Sequence, residues 1–248
     1  MIDQKNTAII IPARLASTRL PNKPLLEINS KTMIEYVWEN AQKSQLGMVV
    51  VATDSIKIKE TIEKRGGQAC LTSESHQSGT DRIHEALKIF DTNSNIEKII
   101  NLQGDLPTIN KQALVKVLNL LENEKVDIGT LVAPFQDENE MQKNQFVKAI
   151  CKFAKNKMTT RAIDFTRVIN ENNKDNAYHH IGIYSYQRNA LEKFVELNQT
   201  HREKEEKLEQ LRAIGNNMHI EVSLINSPIL GIDTQEDLRE VVKILGKQ

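Results

Sequence analysis

The stretch Ile9–Leu25 reads IIIPARLASTRLPNKPL and decides how the rest of the chain is interpreted. It begins with a β-branched run typical of a buried strand, and Pro12 is expected to end that run. The loop that follows carries three cations and two hydroxyls: Arg14, Arg19, Lys23, Ser17 and Thr18. Guanidinium and ammonium groups pair with phosphate oxygens, and open α/β sheets bind ligands at the carboxyl ends of their strands. The stretch therefore predicts a polyphosphate-binding loop rather than a solvated basic loop.

Composition limits the class of protein. The chain has 248 residues, enough for one sizeable core, and we predict a single domain over 1–248. Its 33 basic and 33 acidic residues balance, which argues against nucleic acid or an anionic membrane surface as a partner. Cys70 and Cys151 have neither CxxC nor metal-site spacing, and the sequence shows no signal-peptide pattern and no apolar run of membrane-spanning length. We therefore expect a cytoplasmic protein.

The apolar pattern alternates between helices and strands in the first half of the chain. Helices are predicted over 31–44, 55–65 and 111–122, and strands over 48–52, 69–71 and 98–102. This order predicts an α/β fold with right-handed crossovers and a mainly parallel sheet that has helices on both faces. From residue 127 the strands become longer, and a polar, poorly periodic segment follows at 154–176. We interpret roughly 128–190 as an inserted β-rich region, either a lid or a subunit contact.

Two carboxylates are candidates for a metal site. Asp105 lies three residues past the end of the predicted strand 98–102, and Asp233 precedes a helix whose N-cap is already supplied by Thr234. Hard divalent cations such as Mg²⁺ prefer carboxylate oxygens, although an Asp after a strand is often only a turn former. The pair therefore indicates a Mg²⁺ site without requiring one.

Two further polar segments are candidates for ligand contact. The loop at 72–82 offers many hydrogen-bonding groups beside Gly79, although Ser78 or Thr80 is most simply a helix N-cap. His179 and His180 are neighbours in a predicted strand, so they point to opposite faces and a His–His metal pair is disfavoured. His180, close to Gly182, would suit a polyhydroxy substrate.

Two common nucleotide-binding classes are excluded by missing motifs. The chain has no GxGxxG after its first strand and no GxxxxGK[ST], so neither a dinucleotide-dependent dehydrogenase nor a Walker-type NTPase is predicted.

Nine short blocks follow one another along the chain: Pro12-Ala13-Arg14, Ser17-Thr18-Arg19-Leu20-Pro21, Lys23-Pro24-Leu25, Ala52-Thr53-Asp54, Ser78-Gly79-Thr80-Asp81-Arg82, Gln103-Gly104-Asp105, His180-Ile181-Gly182-Ile183-Tyr184, Leu208-Glu209-Gln210-Leu211-Arg212 and Gly231-Ile232-Asp233-Thr234. In this order they resemble the motifs of the CMP-Kdo synthetase family, the 3-deoxy-manno-octulosonate (Kdo) cytidylyltransferases, over nearly the whole chain. The resemblance implies a Rossmann-like nucleotidyltransferase fold and a homodimer. It also implies transfer of CMP from CTP to the anomeric hydroxyl of Kdo, an acidic eight-carbon sugar, with Mg²⁺ as cofactor and release of pyrophosphate, for lipopolysaccharide synthesis.

The resemblance also implies roles for individual residues. Nucleotide contacts are expected from Pro12, Ala13, Arg14, Ser17, Thr18, Arg19, Lys23, Thr53, Ser78, Gly79 and Gln103. Sugar contacts are expected from Arg82, Gln103, His180, Tyr184, Glu209 and Gln210. Metal binding is expected from Asp105 and Asp233, which form the catalytic set together with Arg14 and Lys23.

The chain departs from the family pattern at two places. Leu106 stands where the family commonly has Glu after Gln-Gly-Asp, and around Thr159-Thr160-Arg161 only Arg161 fits comfortably. These departures leave other functions open: the same reaction on 8-amino-Kdo or another acidic sugar such as a sialic acid, or a catalytically silent nucleotide-binding protein on the same fold.

Overall fold

The computed structural model describes residues 4–16 and 20–246. These residues fall into two compact units, one within 1–115 and 229–248 and the other within 116–228. The predicted insertion at 128–190 lies inside the second unit. The single domain over 1–248 stays a prediction.

The first unit alternates strands with helices, as the apolar pattern predicts. Its elements are β1 (Thr7–Ala13), β2 (Glu27–Ile28), β3 (Lys31–Thr32), α1 (Met33–Ser44), β4 (Met48–Thr53), α2 (Ile56–Glu63), β5 (Gln68–Leu71), α3 (Gly79–Phe90), β6 (Lys98–Leu102) and most of α4 (Lys111–Asn119). The last strand and the first helix of this set agree closely with the predicted 98–102 and 31–44.

Four strands of this unit form a parallel arrangement in the order β5-β4-β1-β6. Every residue of β1 is buried, which means that both faces of this strand are covered. Pro12 does not end the strand, which continues to Ala13. The reason is that β6 pairs with β1 only as far as Ile10, so a proline without an N–H is tolerated beyond that point.

The second unit contains the remaining strands and several short helices. They are β7 (Ile128–Ala133), α5 (Glu138–Gln142), β8 (Lys148–Cys151), β9 (Thr159–Thr166), β10 (Ala177–Gln187), α6 (Arg188–Glu196), α7 (His201–Glu206), α8 (Gln210–Gly215) and β11 (Ile220–Leu224). Pairing runs β10-β7-β11-β9-β8, and β8 pairs again with β10, so the five strands close into a ring. Only β7 and β11 run parallel within it.

The sequence pattern missed part of this unit. The polar segment 154–176 contains β9, whose side chains are mostly exposed or half-buried, so its hydrophobic alternation is weak. The region 200–214 forms two helices, because Lys207 adopts a left-handed conformation with φ of 53° and ends the first of them.

The chain returns to the first unit for α9 (Gln235–Leu245). Val241 of this helix packs in a cluster with Leu20, Ile28, Met33 and Ile232. Ile232 is fully buried, and this fixes the backbone directly before Asp233. Among the described residues, no helix is long and apolar enough to cross a membrane.

Candidate active site

A lysine and two aspartates meet beyond the carboxyl ends of the parallel strands. The Lys23 ammonium donates to Asp105 Oδ2 at 2.7 Å and to Asp233 Oδ1 at 2.8 Å. The Lys23 side chain is only 13% exposed, whereas those of Asp105 and Asp233 are 35% and 49% exposed. The two residues predicted to bind a metal are therefore brought together, and a protein cation bridges them.

Local structure fixes the three groups. Lys23 opens a short 3₁₀ turn, Lys23–Leu25, which follows Asn22 in a left-handed conformation. The Ile232 N–H donates to the Asp105 carbonyl at 3.0 Å, so the two aspartate-bearing segments are hydrogen-bonded to each other. At α9, Thr234 is the N-cap, as predicted, and forms a capping box with Asp237; the Asp233 N–H donates to the same Asp237 Oδ2 atom at 2.9 Å.

Charge at this cluster is set by two opposing effects on Lys23. Burial by itself lowers the pKa of Lys23, but the coulombic and hydrogen-bond contributions of Asp105 and Asp233 together outweigh it and raise that pKa above its ordinary value. Lys23 is therefore protonated and positively charged at neutral pH.

The residue next to Asp105 is not part of the polar cluster. Leu106 is buried, and a methyl group placed on Gly231 would lie 3.4 Å from its Cδ2 atom. Leu106 therefore packs beneath the segment that carries Asp233. The position of the family's usual Glu is occupied here by a core side chain.

The predicted nucleotide loops converge on Pro12. A methyl group on Gly79 would lie 3.4 Å from Pro12 Cγ and 3.7 Å from Gln103 Oε1, and one on Gly104 would lie 3.1 Å from the Pro12 carbonyl oxygen. The loops after β1, β5 and β6 therefore meet at one edge of the parallel strands. Larger side chains at either glycine would fill or distort this junction.

A buried ion pair supports the start of the cationic loop. Asp54, directly after β4, accepts from the Leu15 N–H at 3.1 Å and from Arg82 Nη2 at 2.9 Å. Arg82 Nη1 also donates to Thr72 Oγ1 at 2.6 Å, and the Arg82 side chain is only 4% exposed. In the structure this guanidinium holds loops together, and its predicted contact with a sugar stays a prediction.

The other predicted nucleotide residues occupy varied positions. Arg14 is exposed, whereas Ala13 is buried as the last residue of β1. Thr53 is fully buried and its hydroxyl accepts from the Ser55 N–H at 3.1 Å. Ser78 is the N-cap of α3 and accepts from the Asp81 N–H at 3.1 Å, which confirms the simpler of its two predicted roles. Ser17, Thr18 and Arg19 lie outside the described residues.

In the second unit, the two adjacent histidines of β10 have separate environments, as predicted. His179 Nδ1 lies 3.0 Å from Glu140 Oε1, and its ring stacks on Phe135. His180 is buried, with Nε2 3.0 Å from Thr130 Oγ1 and its ring edge-on to Phe165. Burial, with a smaller contribution from His179, lowers the pKa of His180 to about 3, so it is a neutral hydrogen-bonding group.

Tyr184 and Glu209 lie near His180. The rings of Tyr184 and His180 have their centroids 5.5 Å apart. Burial raises the pKa of Tyr184, and the charges of Tyr186 and Glu209 raise it further, which places the Glu209 carboxylate close to the phenol. Gln210 is buried at the start of α8. Three of the predicted sugar-binding residues are thus gathered in one region of the second unit.

The chain is similar to known cytidylyltransferases. A cytidylyltransferase family model matches residues 8–220. The 3-deoxy-manno-octulosonate cytidylyltransferases of Bartonella bacilliformis and Brucella anthropi are 46% and 44% identical to this chain over 238 residues. Each alignment covers 96% of this chain, together with 97% and 96% of the respective relative. The chain belongs to the 3-deoxy-manno-octulosonate cytidylyltransferase family.

A solved structure agrees with this membership. The structure of CMP:2-keto-3-deoxy-manno-octonic acid synthetase complexed with CTP matches with a TM-score of 0.87 and 31% identity. The match covers 97% of this chain and 98% of the other. These comparisons confirm three predictions for this Kdo cytidylyltransferase family member: the family, the α/β fold of the nucleotidyltransferase type, and the enzyme class, a nucleotidyltransferase.

The structure also shows supporting residues that sequence analysis missed. Thr130 holds His180, and its hydroxyl also lies 2.7 Å from the Ile183 carbonyl oxygen. Glu203 and Arg212 form a buried ion pair with a 2.6 Å contact, which ties α7 to α8 beside Glu209. Arg212 stands in the quoted block 208–212, and the spacing from Thr200 to Glu203 is a capping-box signal that could have pointed to Glu203. The pairing of Glu203 with Arg212 is set by packing.

Proposed function

We propose that this family member transfers CMP from CTP to the anomeric hydroxyl of Kdo and releases pyrophosphate. The hydroxyl oxygen forms a bond to the α-phosphorus, the bond from that phosphorus to the bridging oxygen breaks with its electron pair leaving on pyrophosphate, and the hydroxyl proton passes to water. The observation that carries this proposal is the cluster of Lys23, Asp105 and Asp233 at the ligand-binding edge of the parallel strands. It combines a phosphate-binding cation with paired oxygen ligands for a metal.

The first unit supplies the proposed nucleotide contacts. The junction of Pro12, Gly79 and Gln103 provides small side chains and one amide at which a cytosine base can be read. Arg14 and Lys23, with Arg19, bind the triphosphate and neutralise negative charge that develops on the leaving pyrophosphate. The pair of Asp54 and Arg82 fixes the beginning of this cationic loop.

Mg²⁺ is the proposed cofactor, and the residues present fit it. Asp105 Oδ2 and Asp233 Oδ1 both contact one nitrogen, so they lie no more than about 5.5 Å apart. Both are carboxylate oxygens, the ligands that Mg²⁺ prefers, and both side chains are partly exposed. Within 4–16 and 20–246, no group of three or more His, Cys, Asp and Glu side chains is placed to hold a metal.

Two protein ligands nevertheless match a Mg²⁺ ion that keeps waters and substrate phosphates as its other ligands. Such an ion polarises a phosphoryl oxygen and orients the reacting groups.

The second unit supplies the proposed sugar contacts. Neutral His180, the Tyr184 hydroxyl, Glu209 and Gln210 provide donors and acceptors suited to a polyhydroxy substrate. Gly182 leaves open space beside these groups, because a methyl group there would meet no atom within 4 Å.

Kdo is favoured over the alternative sugars. The relatives at 44% and 46% identity are named for 3-deoxy-manno-octulosonate. Leu106, the feature that suggested 8-amino-Kdo or a silent protein, is buried and lies beneath the polar cluster rather than in it. Its replacement of Glu therefore leaves the partly exposed carboxylates of Asp105 and Asp233 in place.

The cellular setting follows from the proposed reaction. We propose a cytoplasmic homodimer whose product, CMP-Kdo, is used in lipopolysaccharide synthesis. Both cysteines are buried thiols, as suits a reducing compartment. Met158, Ile163 and Val168 of the second unit are exposed apolar side chains, which suits a subunit contact. Light scattering that gives a monomer at assay concentration would remove the dimer from this proposal.

A pyrophosphate-release assay tests the function. Reactions contain CTP and Mg²⁺ with Kdo, 8-amino-Kdo, a sialic acid or no sugar, and parallel reactions contain EDTA. We expect release that requires both Kdo and the metal, and a loss of at least about 100-fold in turnover for Asp233→Asn. Release with another sugar alone would correct the substrate, and CTP binding without release under any condition would indicate a silent protein.

A further inference from the structure

The Lys23 ammonium lies where a metal shared by Asp105 and Asp233 would lie. Its contacts of 2.7 and 2.8 Å reach one oxygen of each carboxylate, and its side chain is the least exposed of the three. A divalent cation bound between the same two oxygens would take the place of the ammonium, because two cations cannot occupy one position. Lys23 and a metal therefore compete for one position.

The carboxylates are held together whether or not Lys23 lies between them. The hydrogen bond from the Ile232 N–H to the Asp105 carbonyl joins the two segments, and Leu106 packs beneath Gly231. Two negative charges fixed at this separation repel each other and require a counter-cation. One ammonium offsets half of their charge, and a divalent ion offsets all of it.

The proposed function gives the Lys23 ammonium a second set of hydrogen-bond acceptors, the phosphate oxygens of CTP. Lys23 belongs to the cationic loop, and a triphosphate bound there offers oxygens to which an ammonium can move. The four-carbon stem of lysine allows that movement while the 3₁₀ turn keeps its backbone in place.

We propose that Lys23 is an internal counter-cation that exchanges its position with the divalent metal. It neutralises Asp105 and Asp233 before substrates bind, and it moves to the triphosphate when the metal takes the carboxylates. This inference rests on the proposed function. By linkage, nucleotide and metal strengthen each other's binding, because each stabilises the arrangement that accepts the other.

Replacement of Lys23 by a neutral side chain tests the exchange. Lys23→Met is compared with the parent by calorimetric titration of Mg²⁺ and Mn²⁺, with neither nucleotide nor sugar present. We expect the metal affinity of the variant to increase at least about tenfold, because the internal competitor is removed. Its melting temperature should also rise more than that of the parent when metal is added.

Lys31→Met is the matched control. Lys31 belongs to the same unit and contacts both oxygens of Glu39 at 2.7 and 2.8 Å, away from the aspartate pair. Its metal affinity should equal that of the parent. Unchanged or weaker metal affinity in Lys23→Met would overturn the proposal.

A measurement on the parent protein applies if Lys23→Met does not fold. Limited acetylation by an N-hydroxysuccinimide ester, mapped by peptide mass spectrometry, reports how accessible the Lys23 amine is. Added Mg²⁺ should increase labelling at Lys23 and leave Lys31 unchanged, and no increase at Lys23 would overturn the exchange. Because none of these experiments contains CTP or sugar, their failure is distinguishable from a failure of pyrophosphate release by the parent.

Discussion

Arg82→Met removes a guanidinium that is buried in the structure, whereas the motif in which Arg82 stands predicts a contact with the sugar. Arg82 is 3% exposed and donates to Asp54 and Thr72 at 2.9 and 2.6 Å. Removing one partner of a buried ion pair costs about 3–5 kcal/mol. The Asp54 side chain is 14% exposed and keeps the Leu15 N–H as a donor, so we expect a loss of about 2–4 kcal/mol.

The assay is thermal unfolding followed by circular dichroism. For a chain of this size the expected loss corresponds to a fall in melting temperature of roughly 4–16 °C. The double variant Arg82→Met/Asp54→Asn should lose less stability than the sum of the losses of the two single variants, because it leaves no buried charge unpaired. Lys59→Met, which breaks an exposed ion pair with Glu63, should change stability by less than about 0.5 kcal/mol.

Kinetics separate a structural Arg82 from a sugar-binding one. Below its melting temperature, Arg82→Met should raise the KM for CTP, since the Leu15 segment loses its anchor. A melting temperature within about 1 °C of the parent, with a raised KM for the sugar alone, would refute the reasoning and place Arg82 at the substrate.

Three further predictions concern single side chains. The pKa of His180 is about 3 in the folded chain against an ordinary 6.5, so its contribution to stability is complete above pH 6.5 and is lost as pH falls towards 3. Between pH 7 and 5 the parent should lose about 2 kcal/mol more than His180→Gln in urea unfolding, and parallel pH curves would contradict this. Leu106→Glu should destabilise the fold by about 2–3 kcal/mol and should not increase turnover. The control Leu106→Met should cost less than about 1.5 kcal/mol of stability. A faster Leu106→Glu enzyme would contradict this and show that a carboxylate at this position contributes to turnover. Gly182→Ala should keep its melting temperature within about 2 °C of the parent, because the added methyl meets no atom within 4 Å, and should raise the KM for the sugar several-fold. An unchanged KM would mean that the open space beside Gly182 is not used.

The strands and helices of the parallel half of the fold could be predicted because their hydrophobic patterns are local in sequence. The β-branched run at 9–11 and the periodic helices after it predicted a mainly parallel sheet, and β6 appears at the predicted 98–102. β9 was missed because its exposed and half-buried side chains give no clear alternation. The closed ring of five strands depends on pairings between distant segments, which no local pattern encodes.

The candidate site could be predicted as residues but not as contacts. Asp105 and Asp233 were expected to meet, and the sequence placed Lys23 among the phosphate ligands rather than between these carboxylates. Arg82 stands in a motif that resembles a substrate loop, yet in the structure it pairs with Asp54. The two residues are 28 positions apart, and their pairing depends on the tertiary fold. Motifs identify chemically capable side chains, and burial and pairing decide what each side chain contacts.

The central claim is transfer of a CMP group, and the fate of a label on CTP tests it most directly. CTP labelled with ³²P at the α-phosphorus is incubated with Kdo, Mg²⁺ and the protein, and the products are separated. We predict that the label appears in a sugar nucleotide whose mass is that of CMP-Kdo, while pyrophosphate remains unlabelled. Label found in free CMP, or retained in CTP while Kdo is unchanged, would contradict the account.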